Sequence, residues 1–169
     1  MTLTELLKKE AAGTYHAAEG LFKQVDADKL DWRPPLGENW MSVAQLLHHC
    51  TSACGFCVRG FITGDWTTPG GGDGTGMEPT AGTMPAVKSV DEALKLLAAD
   101  KATCMKYIDE AGEQNLLSKM SAAPWGGPER TLFQHLSHMI LHLSQHKGQL
   151  FYYLKMQGKP LHTGHLYGM

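Results

Sequence analysis

Long apolar runs are missing from this chain. No window of it approaches the ~18 uninterrupted apolar residues a membrane-spanning helix needs, so a membrane role is not expected. A charge excess of either sign is missing too. Fifteen Lys and Arg stand against seventeen Asp and Glu, a formal net charge of −2, and no basic cluster is interleaved with aromatics. Without such a field there is nothing to draw the chain to nucleic acid. The glycines between Gly70 and Gly76 are not followed by Gly-Lys-Ser/Thr and follow no strand, which excludes a phosphate-cradling loop. No apolar segment follows a basic start between Met1 and Glu10, so the expected location is cytoplasmic. The only cysteines, Cys50, Cys54, Cys57 and Cys104, are then expected to be reduced.

Alternating strand patterns are also absent, and helical periodicity takes their place. Four segments open on a Ser or Thr with Glu or Gln three residues later: Thr2 with Glu5, Ser42 with Gln45, Ser89 with Glu92, and Thr131 with Gln134. In such a capping box each side chain satisfies a backbone donor that the helix start leaves orphaned. Each pair precedes an apolar run of helical period, which predicts helices over about Leu3–Val25, Ser42–Ile62, Val90–Ala111 and Leu132–Gln157. Gly158 and Pro160 end the last one. The expected fold is all-α, a four-helix bundle in one domain over residues 1–169. The long Gly- and Pro-rich connection Thr63–Lys88 suits a crossover between the second and third helices, leaving those two parallel.

The fourth predicted helix carries His138, His142 and His146 at four-residue steps. Residues four apart lie one turn above each other on one helix face, roughly 5–6 Å apart at Cβ, so two imidazoles can grip one ion. All three cannot, because the outer two are about 12 Å apart along the axis. His142 and His146 border the apolar stripe that includes Met139, Leu143 and Leu150, as ligands reaching into a bundle interior would. A third ligand must come from another helix, where His48 and His49 are the candidates. The phase of the second helix sets His49 beside Leu46 and Cys50 and turns His48 outward beside Gln45 and Ser52, which favours His49. Three imidazoles with an open position suit Zn²⁺, Ni²⁺, Fe²⁺ or Mn²⁺. A structural bundle with packed or solvated histidines is the competing reading.

Leu30-Asp31-Trp32-Arg33-Pro34-Pro35, Trp40-Met41-Ser42-Val43-Ala44-Gln45-Leu46-Leu47-His48-His49 and His142-Leu143-Ser144-Gln145-His146-Lys147-Gly148-Gln149-Leu150 together resemble the motifs of the DinB/YfiT-like proteins, small metal-binding four-helix bundles. The resemblance runs over essentially the whole chain. It departs at Met41, an extra residue between Trp40 and Ser42. It implies an up-down-down-up bundle and a divalent ion held by His49, His142 and His146, with the adjacent His48 as the alternate; helix geometry leaves His138 as a packed or supporting group. It also implies a tendency to form homodimers. Some relatives are thiol-dependent S-transferases, so a low-molecular-weight thiol co-substrate and a small-molecule substrate are the implied partners.

Three functions are therefore carried forward. The first is metal-dependent, S-transferase-type chemistry. The second is a metal-binding stress or sensor protein without turnover. The third is a redox protein using Cys54 and Cys57, although that Cys-x-x-Cys falls in the middle of a predicted helix on its apolar face, where cysteine usually packs as a small hydrophobe. No Glu or Asp lies within the histidine motifs, unlike His-Glu-x-x-His hydrolases, which argues against peptide hydrolysis. His16, His135, His162 and His165 are expected at the surface or in loops, and Glu38, Arg130 and Lys147 as solvated charges.

Overall fold

The capping boxes do start the helices. In the computed structural model, which describes residues 1–68 and 80–169, α1 spans Leu3–Phe22, α2 Val43–Cys50, α3 Gly55–Thr63, α4 Val90–Ser118, α5 Leu132–Met156 and α6 Thr163–Tyr167. The Thr2–Glu5, Ser42–Gln45 and Thr131–Gln134 boxes are reciprocal. Ser89 accepts from Glu92 N–H, but the Glu92 carboxylate takes the Lys88 N–H, one residue further out. The glycine-rich stretch from Gly70 lies outside the described residues. The fold is all-α, and among the described residues its one strand pair is the short antiparallel Met120–Ser121 (β1) with Arg130–Thr131 (β2), too brief to leave an alternating pattern in the sequence.

The long helices pack side by side around Leu21, Leu46, Ile108, Leu136, Leu143 and Leu150, all fully buried. Their directions follow from paired contacts. Leu3 reaches Glu113, Lys8 reaches Asp109 and Tyr15 reaches Asp100, so α1 and α4 are antiparallel. Gly55 meets Asp100, and the Phe61 carbonyl meets Lys119, so α3 and α4 run parallel. Met41 contacts Tyr153, His49 contacts His146, and Phe61 stacks on His135, so α2 and α3 run antiparallel to α5.

Two helices are broken where the sequence predicts continuity or an end. The segment expected to be one helix from Ser42 to Ile62 is two, with turns at residues 51–54 between them. Thr51 and Ser52 close α2 by bonding back to the His48 and His49 carbonyls, and across the bundle Asp100 on α4 accepts from the Gly55 and Phe56 N–H groups and so caps α3. Gly55 permits the approach, because a Cβ there would sit 2.0 Å from the Asp100 carbonyl oxygen. In α4, Gly112 takes φ 70°, ψ 156°, a conformation open essentially to glycine alone, and helical structure resumes to Ser118. The sequence-predicted end at Ala111 falls at this kink.

Candidate metal centre

α2 contributes His49 and α5 contributes His142 and His146, one turn apart. The three rings converge through Nε2. The separations are 3.4 Å between His49 and His142, 3.0 Å between His49 and His146, and 2.9 Å between His142 and His146. Among the described residues this is the one group of three or more His, Cys, Asp or Glu side chains close enough to hold an ion. All three histidines are partly buried.

The far side of each α5 ring fixes what the near side offers. His142 Nδ1 lies 3.2 Å from the Ala53 carbonyl oxygen, which can only accept, so this nitrogen carries the proton. His146 Nδ1 donates to Gln149 Oε1 at 3.1 Å. A neutral imidazole protonated at Nδ1 presents a lone pair at Nε2. Two lone pairs therefore face each other at 2.9 Å, with His49 Nε2 completing the triangle. Such an arrangement is repulsive unless a proton or a cation sits among the nitrogens.

Burial pushes the His49 imidazole down to about 3, with the neighbouring His146 and His142 adding to the effect. Burial lowers His142 as well, then His146 does, against the opposing pull of the Ala53 carbonyl. At neutral pH these two rings are uncharged, the form that binds metal. The separations fit an ion: with bonds of about 2.0–2.1 Å, two nitrogens stand roughly 3.3 Å apart in a tetrahedral shell and roughly 2.9 Å apart at a right angle.

A family profile described as the DinB superfamily matches residues 10–150. The chain belongs to the DinB superfamily. The DinB-like protein YjoA of Bacillus subtilis has a similar crystal structure, with a TM-score of 0.66 over 91% of this chain and 92% of that one, at 16% sequence identity. No curated protein matches the sequence. Within this DinB-superfamily chain, His49 and not His48 reaches the triad. His48 stands nearer α4, where Glu92 partly offsets the lowering of its pKa by burial. His138 is exposed near His142, whose orienting partner is the Ala53 carbonyl instead.

Other sequence expectations are corrected. Cys54 is not in the middle of a helix: it is the residue before α3, and its sulfur faces Cys104 at 3.7 Å. The Cys104 contact and burial raise its pKa well above the usual thiol range, the reverse of what a reactive thiolate needs. His135 is buried, not at the surface. It stacks on Phe61 with ring centroids 4.0 Å apart, and its Nε2 meets the Ser121 carbonyl oxygen. Lys147 is only 5% exposed, because the C-terminal segment folds back and the Leu166 carbonyl accepts from its Nζ at 2.7 Å. His162 and His165 cap α6 through their own Nδ1 atoms. Nothing in the sequence signalled the roles of Ala53, Asp100 and Tyr15. Gln149, one turn beyond His146, had a signal in its spacing.

Proposed function

We propose that this DinB-superfamily chain binds a divalent first-row ion through His49, His142 and His146, and uses it to activate a small thiol for transfer to an electrophilic small molecule. The convergence of Nε2 lone pairs imposed by the Nδ1 partners carries the reading. The ligand set consists of three neutral imidazoles, so it cancels none of the charge of a divalent ion. An uncompensated charge favours an anion in the open position, and a thiolate is a soft donor suited to zinc and its neighbours. The ion would supply Lewis acidity that stabilises a thiol in its deprotonated form. The chain's part is to bring three rings together and to hold two of them in fixed tautomers, Ala53 orienting His142 and Gln149 orienting His146.

Metal analysis of purified protein, followed by a thiol-consumption screen against electrophiles, tests this. Stoichiometric ion and turnover that disappears in His146→Ala are expected. Bound metal with no turnover toward any thiol would leave the non-catalytic sensor reading. Absence of metal after titration with Zn²⁺, Ni²⁺, Fe²⁺ and Mn²⁺ would sink both.

A further inference from the structure

The break between α2 and α3 opens locally, where the Thr51 and Ser52 hydroxyls bond back to the His48 and His49 carbonyls. Residues 51–54 are Thr-Ser-Ala-Cys, with no proline or glycine among them. What fixes where α3 restarts comes from α1 and α4. Asp100 Oδ2 accepts from Tyr15 Oη–H at 2.6 Å and from Gly55 N–H at 2.9 Å, and Oδ1 accepts from Phe56 N–H at 2.9 Å. The Gly55 N–H also reaches the Tyr15 oxygen at 3.1 Å. The first backbone bond of α3 then runs from Val58 N–H to the Cys54 carbonyl. The carbonyl just before it belongs to Ala53, and it is the one His142 Nδ1 meets.

We propose that Asp100, supported by Tyr15, is a positioning residue for the metal centre: by capping α3 it fixes the break that aims the Ala53 carbonyl at His142. The effect passes from α1 and α4, through the start of α3, to a ligand on α5. Asp100 touches neither the histidines nor an ion, so it acts only through the Ala53 carbonyl and the ring tautomer that this carbonyl selects. The inference rests on the metal-binding reading for its importance, but the tautomer can be read without metal.

The test uses the full chain with Asp100→Asn, Tyr15→Phe and, as control, Leu116→Ala. Leu116 is a buried residue near the C-terminal end of α4, away from the break. Two quantities are measured: Zn²⁺ affinity by competition with a chromophoric chelator, and the His142 ring tautomer by ¹⁵N–¹H NMR of the metal-free protein. Loss of a group that orients a ligand typically weakens metal binding by about 10–100-fold. Asp100→Asn is expected to weaken Zn²⁺ about tenfold and to mix the His142 tautomers. Tyr15→Phe is expected to do the same to a smaller extent, and Leu116→Ala to lower Tm while leaving the tautomer unchanged. An unchanged tautomer in Asp100→Asn, or a loss of affinity no greater than in Leu116→Ala, overturns the proposal. Should Asp100→Asn not fold, an unchanged tautomer in Tyr15→Phe overturns it instead. Wild-type protein that binds no Zn²⁺ while the tautomer shifts as expected would overturn the metal reading and leave Asp100's positioning role standing.

Discussion

Two of the polar clusters inside this bundle are built on opposite principles. At the meeting of α1, α3 and α4, the Asp100 carboxylate is 7% exposed, and its oxygens collect a hydroxyl and two backbone N–H groups. Between α2 and α5, the outer nitrogens of His142 and His146 are satisfied while their inner nitrogens face one another. The first cluster is closed: its acceptors have donors, and it acts as a structural joint. The second is open: the lone pairs that the Nδ1 partners fix on His142 and His146 converge on one point, 2.9 Å apart, beside His49 Nε2. A buried polar group costs stability unless it is paired, so an arrangement that aims acceptors at acceptors marks a place for a cation.

The comparison is broken most directly by removing one member of each cluster. His142→Ala should reduce metal affinity by about 100-fold or more, roughly 2.7 kcal/mol or above. Its metal-free stability should change little, since repulsion disappears along with the ring. Calorimetric titration with Zn²⁺ beside urea unfolding measures both. Asp100→Ala should do the reverse to stability, costing about 2–5 kcal/mol of unfolding free energy, because the two N–H groups lose their acceptor inside the protein. If His142→Ala proved the more destabilising of the two without metal, the distinction between open and closed clusters would fail.

Truncating Gln149 probes the open cluster more gently. Gln149→Leu removes the acceptor of His146 Nδ1 and should weaken metal binding about tenfold, read by chelator competition. A variant that bound metal as tightly as wild type would show that Gln149 does not hold that ring.

Acid titration sharpens the contrast, because the clusters respond with opposite sign. Burial raises the Asp100 carboxyl to about 6, although the hydrogen bonds from Tyr15, Gly55 and Phe56 pull the other way. Its native pKa lies above the unfolded value near 3.9, so the native state binds more protons between the two. Its contribution to stability is complete below about 4 and is lost as pH rises through about 6. His49 is held near 3, below the unfolded value of about 6.5. Its contribution is complete above about 6.5 and is lost as pH falls toward 3. In metal-free protein, Asp100→Asn should therefore flatten the stability profile between about pH 4 and 6 from one side, and His49→Ala should flatten it between about pH 3 and 6.5 from the other. Urea unfolding across pH 4–7.5 distinguishes them, and profiles that shift the same way would contradict the assignment. The smallest effect is expected at His138, which is exposed. His138→Ala should change metal affinity by less than about threefold and stability by no more than about 0.5 kcal/mol.

Much of the site was legible because its signals are local. The four-residue step between His142 and His146 is helix geometry, and the phase of α2 chose His49 over His48. The boxes at Thr2, Ser42 and Thr131 set three helix starts to the residue, since each pairs side chains three apart. The restart of the helix at Gly55 was not legible, because the groups that cap it, Asp100 and Tyr15, belong to other helices. Lys147 was expected in solvent because its neighbours on α5 give no hint of the tail that covers it. His135 was expected at the surface because nothing near it in the chain announces Phe61. Cys54 and Cys57 match a redox spacing, but the sulfur opposite Cys54 comes from Cys104 on α4.

By itself the sequence determined that helices form, where most of them start, and which histidines can share one helix face, since these depend on residues within a turn or two of each other. The tertiary structure decided which nitrogen each ligand offers. Every residue carries a carbonyl, so nothing in the sequence singles out Ala53 as the partner of a ring 89 positions later. That choice exists only once α4 caps α3 and the chain turns at the break, because a hydrogen bond depends on where its two atoms meet in space.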